Sequence, residues 1–114
     1  MSRDTAEFHI IGNIGSIRPR EKVTYVRVAV KYSRKEGDEW TEHTRWNSVT
    51  CFGKVAEKAQ KAGVGDLVRI TGVPEETAYE RGGETIYGTD LIAKHFHIHN
   101  RAGNSGDDAS PDAD

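Results

Sequence analysis

The sequence predicts an all-β fold: a five-stranded barrel with one short helix between the third and fourth strands. Three observations carry this expectation. β-Branched residues alternate with polar ones in several separate stretches, the period of half-buried strands. Glycine-rich or charged turns divide those stretches. One stretch, GKVAEKAQKAG, changes to helical spacing.

EFHIIGNIG opens the fold. Phe8, Ile10 and Gly12 alternate with His9 and Ile11, and Gly-Asn-Ile-Gly closes the run in a bend. SIRPREK reads as a loop, with Pro19 excluding regular pairing. In VTYVRVAVKY, Val26, Val28 and Val30 fall on one side and Tyr25, Arg27 and Lys31 on the other. A charged turn, SRKEGDE, leads into WTEHTRWNSVTCF, so strands two and three form a long hairpin. In the helix, Val55, Ala59 and Ala62 share a face, and Gly63 is placed to stop it. VGDLVRITGVP returns to a strand that Pro74 is expected to end. A hairpin turning at Gly82-Gly83 and a last strand through KHFHIH complete the order β-β-β-α-β-β. Five strands with one helix in that place fit the OB-fold.

A chain of 114 residues bounds the protein to one domain. Hydrophobic residues make up 35% and charged residues 30%, so a core forms only if the ordered part is compact. From Asn100 onward Gly, Asn, Ser, Asp and Pro offer little to bury. The domain is therefore expected over 1–100, followed by a disordered acidic tail over 101–114. No apolar run reaches the length of a membrane span, and MSRDTAEFHI lacks the apolar region of a secretory signal. The single cysteine, Cys51, leaves no internal disulfide to form. A cytoplasmic location is the expectation. The net charge of −2 conceals a split: Arg18–Arg45 holds eight basic and five acidic residues, whereas Glu75–Asp90 holds five acidic residues and Arg81. A local basic patch is compatible with nucleic acid and equally with an ordinary solvated surface.

The stretch TRWNSVTCFGK bears most on function. As a strand it puts Asn47, Val49 and Cys51 on one face and Trp46, Ser48, Thr50 and Phe52 on the other. Trp40 shares the parity of Trp46 and Phe52, and Arg34, Lys35, Arg45 and Lys54 flank these rings in sequence. Flat rings beside cations suit a single nucleic-acid strand, whose bases stack while its phosphates meet Lys and Arg. The alternative is that the rings pack under a helix or a neighbouring subunit. Nothing in the chain has the spacing of a hydrolase triad, a P-loop or a Cys-x-x-Cys pair. No catalytic residue, metal or cofactor is expected, and Cys51 reads as a small core residue. His95, His97 and His99 share one strand face; alternate strand positions stand about 6.5–7 Å apart, which is wide for a single ion.

FHIIGNIG, TRWNSVTCFGKVAEKA and VGDLVRITGV, in this order, resemble the bacterial single-stranded DNA-binding protein family over about residues 6–100. The resemblance implies an OB-fold that binds single-stranded DNA without sequence specificity, in replication, recombination or repair, with no enzymatic activity. It implies a homo-oligomer, a tetramer in the family. Trp46 and Phe52 match the family's stacking aromatics, and Tyr79, seven residues after Gly72, matches another. Tyr32 stands near a further family Trp, and Trp40 is the remaining aromatic candidate. Departures are also visible. Glu75 and Glu76 stand where the family is usually basic, which predicts weaker or more salt-sensitive binding. The tail ends in SPDAD rather than Pro-Phe, so partner recruitment through that tip is not expected. Two other functions fit the same residues. One is an OB-fold protein-interaction module of replication-restart type with weak DNA binding. The other is a metal-dependent enzyme built on the three histidines.

Overall fold

The computed structural model describes residues 4–102. Six elements follow in the expected order: β1 (Phe8–Pro19), β2 (Val23–Glu36), β3 (Glu39–Phe52), α1 (Gly53–Gln60), β4 (Leu67–Arg81) and β5 (Glu84–Asn100). The strands close into a barrel ordered β1-β2-β3-β5-β4. Neighbours are antiparallel except β3 and β5, which run parallel and pair only Val49 with Leu91 and Thr50 with Ile92. This is the five-stranded OB architecture. The expected acidic tail lies, beyond Ala102, outside the described residues.

Alternation decides what fills the barrel. Val26 and Val28 of β2, Val49 and Cys51 of β3 and Val68 and Ile70 of β4 are all nearly or fully buried. Ala56 and Ala59 of α1 are buried against the same core. Gln60 Nε2 donates to the hydroxyl of buried Thr24 at 2.8 Å, tying the helix to β2. The helix ends at Gln60, earlier than Gly63, because the Lys61 and Ala62 amides turn back onto the Lys58 and Ala59 carbonyls. Gly63 instead donates its N–H to Asp66 Oδ2 at 2.8 Å.

Two strands run further than their prolines suggest. β1 does not bend away at Gly12–Gly15. A bulge between Ile14 and Ser16 shifts its register, and the strand continues to Pro19, opposite Thr24. The extra residue changes parity: Ile10 and Ile14 face the core before it, while Ser16 and Arg18 join the outward face after it. Pro19 is tolerated because pairing with β4 has already stopped at Asn13. β4 likewise passes through Pro74 to Arg81. Its pairing with β1 ends at Gly72, so from there it has β5 as its neighbour and the missing N–H breaks no second ladder. Gly72 itself is required by close approach, since a Cβ there would collide with the Ile92 carbonyl oxygen.

Asp66 joins three segments and is only 4% exposed. Its carboxylate accepts the Gly63 N–H through Oδ2 and the Ala102 N–H through Oδ1, each at 2.8 Å. Its own carbonyl accepts the Ile14 N–H at 3.0 Å. Replacing Asp66 with Ala removes the acceptor of two part-buried hydrogen bonds, and roughly 1–2 kcal/mol of stability should be lost, measured as a lower urea midpoint with unchanged slope.

Burial pushes the Cys51 thiol up to about 11 from 9.0. The unfolded chain releases this proton first, so the contribution of Cys51 to stability is constant below about pH 9 and falls between about 9 and 11. At about 1.4 kcal/mol per pKa unit, a Cys51→Ala variant should lose roughly 2–3 kcal/mol less than the parent over that window, as followed by urea unfolding at stepped pH.

Candidate nucleic-acid interface

The outward face of the β2–β3 hairpin is set by an unbroken register from Val23 opposite Phe52 to Glu36 opposite Glu39. Because no bulge intervenes, parity holds along both strands. Trp40, Trp46 and Phe52 therefore project from one face of β3, and they are 67%, 48% and 49% exposed. They do not pack beneath α1. Beside them, on β2, the same face carries Arg27, Lys31 and Lys35, opposite Ser48, Thr44 and Trp40 respectively. A row of cations thus lies parallel to a row of rings, one strand apart, about 4.8 Å. The Arg27 guanidinium sits 4.4 Å from the Trp46 ring centroid.

The two faces of this hairpin have different characters. Tyr32 is opposite His43 on the inward side. Its ring stacks on His43 at 5.5 Å, and the Arg45 guanidinium lies 3.7 Å above it. His43 Nε2 in turn lies 3.2 Å from Glu36 Oε2 and 3.3 Å from Thr41 Oγ1, and Arg34 pairs with Glu36 at 3.4 Å. Tyr32, Arg34 and Arg45 thus engage one another and their neighbours across the hairpin from Trp46. Sequence proximity brings Arg45 next to Trp46, but adjacent strand residues point to opposite faces. Of the four flanking cations, Lys35 shares the face of the rings, and Lys54 follows Phe52 in the exposed first turn of α1.

The bulge in β1 adds a third strand to the outward face. Ser16 comes opposite Arg27, and Arg18 opposite Tyr25. Together with Arg20, Val26 and Ser48 they line a groove of about 630 Å³. Gly15 forms the floor beneath Trp46, where a Cβ would collide with Trp46 Cζ3 and come within 2.9 Å of Cη2. Arg18, Arg20, Tyr25, Arg27 and Lys31 were not assigned to a site from sequence. Their signal was present, because the alternation in VTYVRVAVKY already turns Tyr25, Arg27 and Lys31 outward. The bulge that brings Arg18 alongside was not readable.

The β4–β5 hairpin contributes Tyr79, 54% exposed and opposite Ile86. Odd positions of β4 face outward, so Tyr79 lies on the exterior of the barrel, as Trp46 and Phe52 do. Glu75 and Asp90 stand directly opposite each other on that same side, between Tyr79 and the barrel. Tyr87 pairs with Ala78 and points to the inward side, 66% exposed.

The histidine strand follows its expected alternation through Ile98, with Phe96 buried and His95 and His97 exposed beside His9, Arg69 and Thr71, and a register shift falls at His99. The His97 and His99 rings meet edge-on at 4.8 Å. Among the described residues, no three His, Cys, Asp or Glu side chains converge on a metal-sized site. Cys51 is fully buried and its thiol stays protonated at neutral pH, which removes it as a nucleophile.

An OB barrel whose open face aligns cations with exposed rings has the architecture of a nucleic-acid-binding protein. The chain belongs to the Single-strand binding protein family, which it matches over residues 6–99. No curated protein matches it. Among solved structures, it is similar to the Plasmodium falciparum SSB in complex with ssDNA, with a TM-score of 0.68 and 14% identity over 86% of this chain and 97% of that one. The mitochondrial single-stranded DNA-binding protein Rim1 of S. cerevisiae gives 0.61 and 21%, over 86% and 98%. The small single-stranded DNA-binding protein of Streptomyces coelicolor gives 0.57 and 22%, over 81% and 92%. At these identities the likeness speaks for the fold. In the described residues no helix is long and apolar enough to cross a membrane.

Gly15→Ala in a Trp40→Phe background, where Trp46 is the remaining indole, should displace that ring. The expected result is a changed near-UV circular dichroism and a shifted emission maximum. Because the ring is half exposed and free to move, the stability loss should stay below about 1 kcal/mol.

Proposed function

We propose that this chain binds single-stranded DNA without sequence choice, by stacking bases on exposed rings and meeting phosphates with the adjacent cations. The observation that carries the reading is the pair of parallel rows on the outward face of β2–β3, Arg27, Lys31 and Lys35 beside Trp40, Trp46 and Phe52. It is found in a member of the Single-strand binding protein family. Every base has a π-face, so stacking contributes about 1–3 kcal/mol per base whatever the sequence. In this reading Trp46 and Phe52 are the central platforms, and Trp40 and Tyr79 extend the track onto the two hairpins. Arg27, Lys31, Lys35 and Lys54 neutralise phosphate. Tyr32, Arg34 and Arg45 brace the β2–β3 hairpin from its other face, so their part in binding is to hold Trp40 and Trp46 in place.

The role belongs to replication, recombination or repair, where single strands must be protected and kept unpaired. Binding needs no catalytic step. We assign the OB domain to 1–100 and the acidic segment 101–114 to a tail whose first residues, Arg101 and Ala102, are tied to the domain through the Lys61 carbonyl and Asp66. A homo-oligomer, with the tetramer as the family's usual form, is supported by β1. Its first half, Phe8–Gly12, pairs with β4 alone and leaves its other edge open to a partner strand. A cytoplasmic location is the reading that the sequence supports.

A second reading, a protein-interaction module with weak DNA binding, draws on the like-charged pair Glu75 and Asp90 on the outward side of the β4–β5 hairpin. The same titration separates the two. Oligothymidine should quench the fluorescence of Trp40 and Trp46 strongly; unchanged emission would favour the interaction module. A Trp46→Ala, Phe52→Ala double variant should bind labelled oligothymidine at least about thirtyfold more weakly by anisotropy, since two stacking platforms are removed. Unaltered affinity in that variant sinks the stacking reading. Lys31→Gln should flatten the dependence of log K on log salt by about 0.7, the contribution of one phosphate on a single strand.

A further inference from the structure

We propose that Tyr25 is an additional base-stacking platform, with Arg18 and Arg27 holding the phosphates on either side of its nucleotide in the groove across β1, β2 and β3. The inference rests on the reading of the outward face as a single-strand track and names a subsite within it.

Spacing is the first argument. Trp46 and Phe52 lie six residues apart on one strand, about 20 Å at 3.3–3.4 Å per residue. Between them β3 offers no ring, only the exposed Ser48 and the buried Thr50. Tyr25 faces Thr50 from β2. It therefore stands about 13 Å along the strand axis from Trp46 and about 7 Å from Phe52. A single strand crossing this face meets Tyr25 where β3 presents no ring.

Exposure and shape are the second. Tyr25 is 45% exposed, and its neighbour on the β3 side is the small Thr50. On the other side is Arg18, brought onto this face only by the bulge that precedes Ser16. The groove around Tyr25 measures about 630 Å³, within the range of roughly 300–1,000 Å³ that small ligands occupy.

Charge is the third. Arg18, Arg20 and Arg27 line the groove and no carboxylate does. Arg20 is partly engaged with the Pro19 carbonyl at 3.1 Å. Arg27 lies on Trp46, so it bridges the Trp46 site and the Tyr25 site. A base that takes its place on the indole turns the guanidinium toward the phosphate linking the two positions. Arginine serves this purpose well, because its planar fork matches phosphate oxygens two at a time.

The test uses the full chain and oligothymidine. Photocrosslinking with oligothymidine carrying 5-iodouracil should give an adduct on Tyr25, mapped by mass spectrometry. Tyr25→Ser should weaken binding about five- to a hundredfold, the range for one stacked base, while Tyr25→Phe stays within about twofold of the parent. Arg18→Gln should weaken binding more at low salt than at high salt. A Tyr25→Ser variant that keeps its urea midpoint and binds like the parent overturns the subsite, and so do adducts confined to Trp46, Phe52 and Tyr79. In either case strong quenching of the parent's tryptophans leaves the track itself standing. If oligothymidine quenches nothing in the parent, the track and the subsite fall together. Should Tyr25→Ser unfold, the crosslink map and Arg18→Gln decide the question on their own.

Discussion

Two residue pairs close the barrel: Val49 with Leu91 and Thr50 with Ile92. Every other strand junction is a long antiparallel ladder, and this short parallel seam is what turns a sheet into a barrel. It also fixes where the interior ends. Strand residues near the seam face an opposite wall, so their inward positions are Val26, Val28, Val49 and Cys51, all buried. Further along the β2–β3 hairpin there is no opposite wall. Inward positions there become Tyr32, Arg34, His43 and Arg45, which satisfy one another across the hairpin. The β4–β5 hairpin makes the same transition past Pro74, with Glu76 and Tyr87 on its inward side. Both hairpins project because the seam is short, meeting β3 near its end and β5 at its middle.

That projection divides rigidity from availability. On the inner face of the β2–β3 hairpin, stacking of Tyr32 on His43 and the Arg45 guanidinium above it use up the rings and charges present. On the outer face, among the described residues, the Arg27–Trp46 contact is the one engagement of an outward tryptophan with a cation. An exposed cation–π pair contributes about 0.5–1 kcal/mol, less than the roughly 1–3 kcal/mol of a stacked base. A base can therefore displace Arg27 from Trp46 at a net gain, and the released guanidinium remains within reach of phosphate. The inner face is engaged within the hairpin, and the outer face is the one the proposed binding would use.

Charge is distributed unevenly along the same surface. Cations line β2 and the end of β1, while the approach to Tyr79 passes the opposed carboxylates of Glu75 and Asp90. In the proposed mode of binding, phosphates would be drawn toward the β1–β2–β3 side and discouraged from the base of the β4–β5 hairpin. Electrostatics would then bias the strand path, even though a ring can stack on any base.

The amino-acid sequence by itself determined the element order, the one helix and the faces of β2 and β3. Alternation with a period of two is a local property, and Val26, Val28, Val49 and Cys51 could be assigned to the core without knowing what they touch. The same alternation assigned Trp40, Trp46 and Phe52 to one side. Tertiary structure alone decided the rest, for reasons that are not local. Pro19 and Pro74 lie within strands because their second neighbours have already departed, and a sequence does not reveal where a ladder ends. The bulge in β1 that carries Arg18 beside Tyr25 depends on how β1 divides its pairing between β4 and β2. Arg45 looks like a partner of Trp46 when read along the chain, yet the pleat sends it to the opposite face, where Tyr32 also lies. Asp66 gives no sign in sequence of the two amide donors it holds, because one of them, Ala102, lies 36 residues away. Contacts between distant segments arise only when the barrel closes, and that closure is what sorts the cations and rings into a usable surface.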